Sequence, residues 1–228
     1  MLPIGDRNPT RTTPFVNYLL IVANVAAFVY QYWLILGGGE AWVVPGYGLV
    51  ATRLMNDPAG EAFTVLTSMF MHGGLMHLAG NMLSLHIFGD NVEDALGHGR
   101  YLSFYAVCGA AAAMAQVFVD VDSRVPMIGA SGAIAGVMGA YLVLYPNAPI
   151  LVFAFIFVEL PAWVVAGLFF AWNLMGGLDS IGMYGNSGVA FFAHLGGFIA
   201  GLLLVRAAVR GRQRSDFRRW SGFRLPER

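Results

Sequence analysis

The sequence predicts an all-α membrane protein, a bundle of six transmembrane helices with a short fourth helix at its centre. Three observations carry that prediction. Charged residues make up only 11% of the chain, against about 25% in soluble domains. Hydrophobic residues make up 57%, and the mean hydropathy is +0.64. Apolar runs of membrane-crossing length recur along the chain, separated by polar or Gly- and Pro-rich connectors. Formal net charge is zero, and all 13 basic residues are arginine. The one basic cluster is a tail beside an apolar run, so no nucleic-acid surface is expected. Cys108 is the only cysteine, which excludes an intrachain disulfide or a cysteine metal site.

Residues 1–13 are polar and are expected to be a cytoplasmic N-terminal segment; 14–210 form one membrane domain and 211–228 a basic cytoplasmic tail. Pro14 to Leu36 is the first apolar run. It exceeds a signal-peptide core of about 7–15 residues and no A-x-A pattern follows, so it reads as a retained span. Residues 37–62 read as a long loop whose Trp42 and Tyr47 suit a membrane interface. Ala62 to Phe88 reads as the second span and carries His72, His77, Asn81 and His86. A polar connector leads to the Ala-rich third span, Tyr101 to Val119. The fourth helix, 131–145, stops at Pro146-Asn147-Ala148-Pro149. The fifth span reads as Ile150 to Leu174, interrupted by Glu159 and Pro161, and a Gly-rich loop, 176–188, follows. Glu159, a carboxylate inside an apolar run, is a functional candidate by default. Val189 to Val209 is the sixth span.

Arginine placement sets the orientation. The tail holds Arg206, Arg210, Arg212, Arg214, Arg218, Arg219, Arg224 and Arg228, whereas the loops after the first and fifth spans hold only Arg53. Positive residues stay on the cytoplasmic side. Both ends are therefore expected inside, and helices 2, 4 and 6 all start on the outer side. The expected site is a prokaryotic plasma (inner) membrane, since no targeting segment precedes the first span.

That arrangement brings three chemical groups together. The fourth helix is about 14 residues, or roughly 21 Å, short of a hydrocarbon core of about 30 Å. Ser131, at its start, would lie below the outer surface. His194 falls early in helix 6, and His72, His77 and Asn81 lie on helix 2. A serine needs an adjacent base, and histidine is the commonest. His77 and Asn81 are four apart on one helical face and can donate hydrogen bonds to a developing oxyanion, with the Ser131 N–H as a third donor. His72 has a lesser role, as a further donor or a water-holding group. Helix 4 carries Gly132, Gly136 and Ala140, and helix 6 carries Ala193, Gly197 and Gly201. Small residues at this spacing let membrane helices touch backbone to backbone. A serine in such a helix is ordinarily a packing residue; the two histidines and the asparagine are what raise it to a candidate. Zinc on His72, His77 and His194 is the chemical competitor, but there is no H-E-x-x-H and no carboxylate between Phe63 and Phe88. No metal or other cofactor is expected.

These motifs resemble the rhomboid family of intramembrane serine proteases. Gly129-Ala130-Ser131-Gly132 matches the family's G-x-S-G. His72 to Asn81 matches its H-x4-H-x3-N, and Ala193-His194 through Gly197 and Gly201 matches its A-H-x-x-G-x3-G. All three occur in family order. The resemblance implies Ser131 as nucleophile and His194 as general base, with His77, Asn81 and the Ser131 amide around the oxyanion and His72 close by. It implies single-pass membrane proteins as substrates, entering past helix 5 beneath a cap formed by the 176–188 loop. Some members place an aromatic residue four after the serine, stacked on the histidine; here that residue is Ala135, so His194 must be oriented some other way. Some carry a Trp-Arg pair where this chain has Thr52-Arg53. A rhomboid-like binding protein without activity and a small transporter are the alternatives, the latter predicting transport that survives Ser131→Ala.

Overall fold

A computed structural model describes residues 2–182 and 189–209. The described residues are mostly helical, with one small sheet. Strand β1 (Leu2–Asp6) precedes helix α1 (Phe15–Leu34). A π-helical turn, Ile35–Gly39, continues α1 into α2 (Glu40–Tyr47), kinked at Gly38, whose φ of 93° suits glycine. Helices α3 (Ala51–Asn56) and α4 (Pro58–Thr67) follow, then α5 (Leu75–Leu96) and α6 (His98–Val119). The short α7 (Ser131–Leu144) leads to a hairpin, β2 (Pro149–Phe153) and β3 (Phe157–Pro161). Helices α8 (Ala162–Gly182) and α9 (Phe191–Ala208) are the last of the described elements.

Four stretches among the described residues are long and apolar enough to cross a membrane: Phe15–Tyr47, His98–Val119, Ala162–Ser180 and Phe191–Ala208. Helix α5 matches them in length, at 22 residues, but ends in polar groups. Those groups hold the start of α1. The Glu93 carboxylate, fully buried, accepts from the N–H groups of Val16 and Asn17 at 3.1 and 2.6 Å, and Asp94 accepts from Thr12 and Arg11. Carboxylates here complement the positive N-terminal end of α1. At 14 residues α7 is the shortest of the bundle helices, and all of it is buried except Ser131, Leu142 and Val143. Its C-terminal end reaches the same end of the bundle, where the Tyr145 hydroxyl donates to the Asn91 carbonyl. The starts of α5, α7 and α9 therefore converge at the opposite end.

The expected small-residue seam is present. A methyl group on Gly197 would land on the Gly132 carbonyl oxygen, and one on Gly201 on that of Gly136. On its other side, Gly136 leaves room for Cys108 of α6.

Three segments differ from the sequence-based expectation. The second span starts at Leu75 rather than Ala62. Asp57 caps a separate helix by accepting from the Gly60 N–H at 2.9 Å, and Pro58 occupies its first turn. The chain is then extended from Met71 through Gly74, so His72 lies before α5 and not ten residues into a helix. The loop 37–62 is largely helical, and Arg53 ties it together by pairing Nε and Nη2 with Glu61 and donating from Nη1 to the Pro45 carbonyl. The fifth span starts at Ala162. Ile150 to Pro161 is the hairpin, its alternating Ile150 and Val152 buried against the bundle as strand period dictates. β1 pairs antiparallel with β2, and β2 with β3. Glu159 therefore sits on a strand, not within a span, and pairs with Arg7. Helix α8 runs on to Gly182, so most of the predicted Gly-rich loop is helix; 183–188 lie outside the described residues, as does the arginine tail from 210.

Candidate active site

Ser131 is positioned from its flanks. Gly129 has φ 128°, a left-handed conformation that disfavours any side chain. A Cβ there would stand 2.8 Å from His77 Nε2 and 3.5 Å from Ser131 Oγ. The glycine thus lets the His77 ring and the Ser131 hydroxyl approach the same point. The Gly129 N–H donates to the Ser68 carbonyl at 2.9 Å, and a two-way bridge between Leu49 and Met127 fixes the loop before it. Helix α7 then starts at Ser131, whose N–H belongs to the first turn, where backbone donors lack intrahelical partners.

His194 lies in the first turn of α9. The Gln116 side chain of α6 accepts from the neighbouring Ala193 N–H at 3.2 Å and helps fix that end. Across the seam, Ser131 Oγ and His194 Nε2 are 2.7 Å apart. The two residues read from the sequence as nucleophile and base are therefore within hydrogen-bond distance, as the Gly132/Gly197 contact requires. The other ring nitrogen is engaged as well: His194 Nδ1 lies 2.6 Å from Oδ1 of Asn173 on α8. Sequence reasoning missed Asn173. Its signal was a lone carboxamide in an aromatic, apolar run, combined with the absence of an aromatic at Ala135.

His77 is the third residue of α5, exposed on the open side. The Gly73 N–H points at its Nδ1 at a long 3.4 Å. That leaves Nε2–H directed toward Gly129 and Ser131. His72 is fully buried. Its Nδ1 lies 3.3 Å from the Phe70 carbonyl, which only accepts, so Nε2 accepts from the Asn81 amide at 3.0 Å. The Gln31 side chain bonds both the N–H and the carbonyl of His72. Both ring nitrogens of His72 thus face neighbours, the Phe70 carbonyl and the Asn81 amide. The His72 and His77 rings meet edge to face at 5.1 Å, joining the three side chains into one cluster. Beside Ser131 lies a cavity of about 20 Å³ bordered by Ser68, Gly109, Ala112, Met127 and Ala193, room for about one water or methyl group.

Chemically, the arrangement can activate a hydroxyl, place N–H donors beside it and exclude bulk from its far side. The Rhomboid domain family matches residues 59–211. The chain is 32% identical over 210 residues to "Rhomboid protein 1, mitochondrial" of Saccharomyces cerevisiae, covering 86% of this chain and 55% of that protein. It is 34% identical over 131 residues to "Rhomboid protease GluP" of Bacillus subtilis, covering 57% of this chain and 24% of that protein. It is 29% identical over 202 residues to "Putative rhomboid protease YdcA" of the same bacterium, covering 88% of this chain and 94% of that protein. The chain spans about half the length of the yeast relative.

Proposed function

The chain belongs to the rhomboid family, whose members are intramembrane serine proteases, and on that premise we propose that it is a serine endopeptidase that cuts single-pass membrane proteins in or near their transmembrane segments. The observation that supports this reading is the 2.7 Å approach of Ser131 Oγ to His194 Nε2, inside the hydrogen-bond range for a nucleophile and its base. Ser131 Oγ attacks the scissile carbonyl carbon while its proton passes to His194 Nε2. Negative charge builds on the carbonyl oxygen, and His77 Nε2–H, the free N–H of the Asn81 amide and the Ser131 backbone N–H receive it. Collapse breaks the C–N bond, and the leaving amine takes the proton from His194. Water then attacks the acyl carbon as the same nitrogen takes its proton; the C–O bond to Ser131 breaks, His194 returns the proton to Oγ, and the carboxylic acid product leaves.

The short α7 supports a submerged site. A helix of 14 residues is roughly 21 Å long, about 9 Å less than the hydrocarbon core. Six bundle helices, α1 and α5 to α9, would form one membrane domain over 14–210, with both ends on the arginine-rich, cytoplasmic side and the site opening outward. A mitochondrial relative weakens the expectation of a prokaryotic plasma membrane, so the proposal is limited to an integral, multi-pass membrane protein. Substrates would enter laterally past α8.

The test is purified protein in liposomes with a single-pass substrate, wild type beside Ser131→Ala, read by fragment mass, with fluorophosphonate labelling of Ser131 alongside. Cleavage and labelling by wild type alone support the reading. Labelling of neither would favour the second reading, an inactive family member that binds membrane proteins.

A further inference from the structure

We infer that Asn173 is a positioning residue that holds the base His194 in the one tautomer and rotation Ser131 can use, so that three side chains, not two, make up the device. The inference rests on the protease reading above for its consequence, but not for its geometry.

Asn173 is 2% exposed on a helix whose nearby residues face outward, Trp172 at 74% and Met175 at 65%. An unbonded carboxamide buried in an apolar setting is costly, so its partners define why it is tolerated. Its Nδ2 lies 2.8 Å from the Phe169 carbonyl, one turn back on α8. A carbonyl oxygen only accepts, so the amide nitrogen must be the atom facing it. The amide oxygen is then turned to His194 Nδ1, 2.6 Å away. That oxygen also only accepts, so Nδ1 carries the ring proton. Nε2 is left with its lone pair, and it is the nitrogen 2.7 Å from Ser131 Oγ. A backbone carbonyl on α8 thereby fixes, through two bonds, which way a proton can leave the nucleophile. The Phe169 ring lies 6.0 Å from the His194 ring, flanking the same imidazole. Ala135, buried on α7, offers it no stacking partner. The role parallels that of the carboxylate in a Ser-His-Asp triad, which orients the imidazole and selects its tautomer. Being neutral, Asn173 supplies orientation and adds no charge to the imidazolium.

The experiment compares wild type, Asn173→Leu and Asn173→Asp with three readouts. The first is the protonation site of His194, by nitrogen-15 NMR of histidine-labelled protein in micelles. The second is the rate of fluorophosphonate labelling of Ser131, and the third is kcat and KM on a transmembrane substrate, with thermal unfolding as the folding control. Leucine keeps the volume but removes the acceptor. It is expected to shift His194 from Nδ1–H to a mixture of tautomers and to lower kcat and labelling about 10- to 100-fold with KM unchanged. That range reaches only the lower edge of the roughly 10²- to 10⁴-fold contributed by a general base, as expected when the base is misoriented and not removed. Aspartate restores an acceptor and is expected to recover labelling to within about tenfold of wild type. An unchanged tautomer with wild-type labelling in a folded Asn173→Leu protein overturns the inference and leaves the protease reading standing. A folded wild type that neither cleaves nor labels, yet loses its Nδ1–H tautomer on Asn173→Leu, has the opposite meaning.

Discussion

Gly197→Ala places a single methyl group in the seam that aligns the proposed nucleophile with its base. Its Cβ would fall on the Gly132 carbonyl oxygen and 3.3 Å from the Ala112 methyl. Neither neighbour is a flexible side-chain end, so the helices have to part. Reaching an ordinary contact of about 3.5 Å requires α7 and α9 to separate by about 1 Å or more. The 2.7 Å Ser131–His194 bond would stretch to about 3.7 Å, beyond a hydrogen bond. Overpacking of this kind costs about 1–3 kcal/mol, offset by about 1 kcal/mol from alanine's better helix propensity. The loss of stability should therefore be small or moderate, while the loss of reactivity should approach the roughly 100-fold associated with a 1 Å misplacement. Phosphonate labelling of Ser131 and thermal unfolding, measured on the same micellar preparation, separate the two. Gly167→Ala is the control: nothing lies within 4 Å of that position on α8, so it should label at the wild-type rate and unfold no earlier. A Gly197→Ala protein that is folded and labels like wild type would refute the claim that the glycine seam sets the Ser131–His194 distance.

Two further outcomes are expected from groups around the site and at the opposite end, and a third from α8. Burial pushes the Asp6 carboxyl up to about 6, against the opposing hydrogen bond from the Tyr141 hydroxyl. An acid whose folded pKa is raised stabilises the fold below its unfolded value of about 4 and loses that contribution as pH rises to about 6. Unfolding temperature should fall over that window more steeply in wild type than in Asp6→Asn, and parallel curves would refute the assignment. His72→Phe and Asn81→Ala should each lower kcat, but the double variant should be little worse than Asn81→Ala alone, because His72 acts through Asn81. Full additivity, measured by labelling, would give His72 a role of its own. Joining α8 to α9 with a short thiol cross-linker between cysteines at Phe170 and Phe198, whose rings are 5.5 Å apart, should block cleavage of a transmembrane substrate while Ser131 still labels.

The groups of the candidate site were legible because their spacing is tied to chemistry. The approach of Ser131 and His194 follows from helix starts and small-residue repeats, the shared face of His77 and Asn81 from their four-residue spacing, and α7 ends within a residue of its expected limit. What was not legible concerns backbone form inside apolar sequence. Hydropathy reads residues 62–88 as one span, because it does not register the extended Met71–Gly74 segment that separates a loop helix from α5. It likewise merges Ile150–Pro161 with α8. Both faces of that hairpin are apolar: Ile150 and Val152 turn to the bundle, while Phe153 and Phe157 are exposed, so no polar alternation marks the strands. β1 offers five residues with no regular pattern, and its pairing with β2 joins segments almost 150 positions apart. Asn173 was hidden for a related reason. An asparagine in an apolar helix is visible, but which face it occupies depends on how α8 packs on α9.

The sheet and Asn173 together give α8 a mechanical character. Its first residue follows β3 directly, and β3 is tied through β2 to the beginning of the chain. The strand hydrogen bonds make that end the fixed one; the exposed Arg7–Glu159 pair adds little. Beyond it, α8 touches α9 through Phe169 and Phe170 on Phe198, Asn173 on His194 and Gly176 against Phe191. Trp163, Leu168, Trp172, Met175 and Leu178 are all at least half exposed. Asn173 lies 11 residues beyond Ala162, about 17 Å along the axis. A tilt of about 5° around the sheet end would therefore move it by about 1.5 Å, enough to break a 2.6 Å hydrogen bond. Any opening of α8 wide enough to admit a helix exceeds that. In such a state His194 is released from its orienting partner, and the bond to Asn173 re-forms only as α8 returns. Admission of a substrate and readiness of the base would then be successive states of one helix, which is why the cross-linked protein should separate labelling of Ser131 from cleavage.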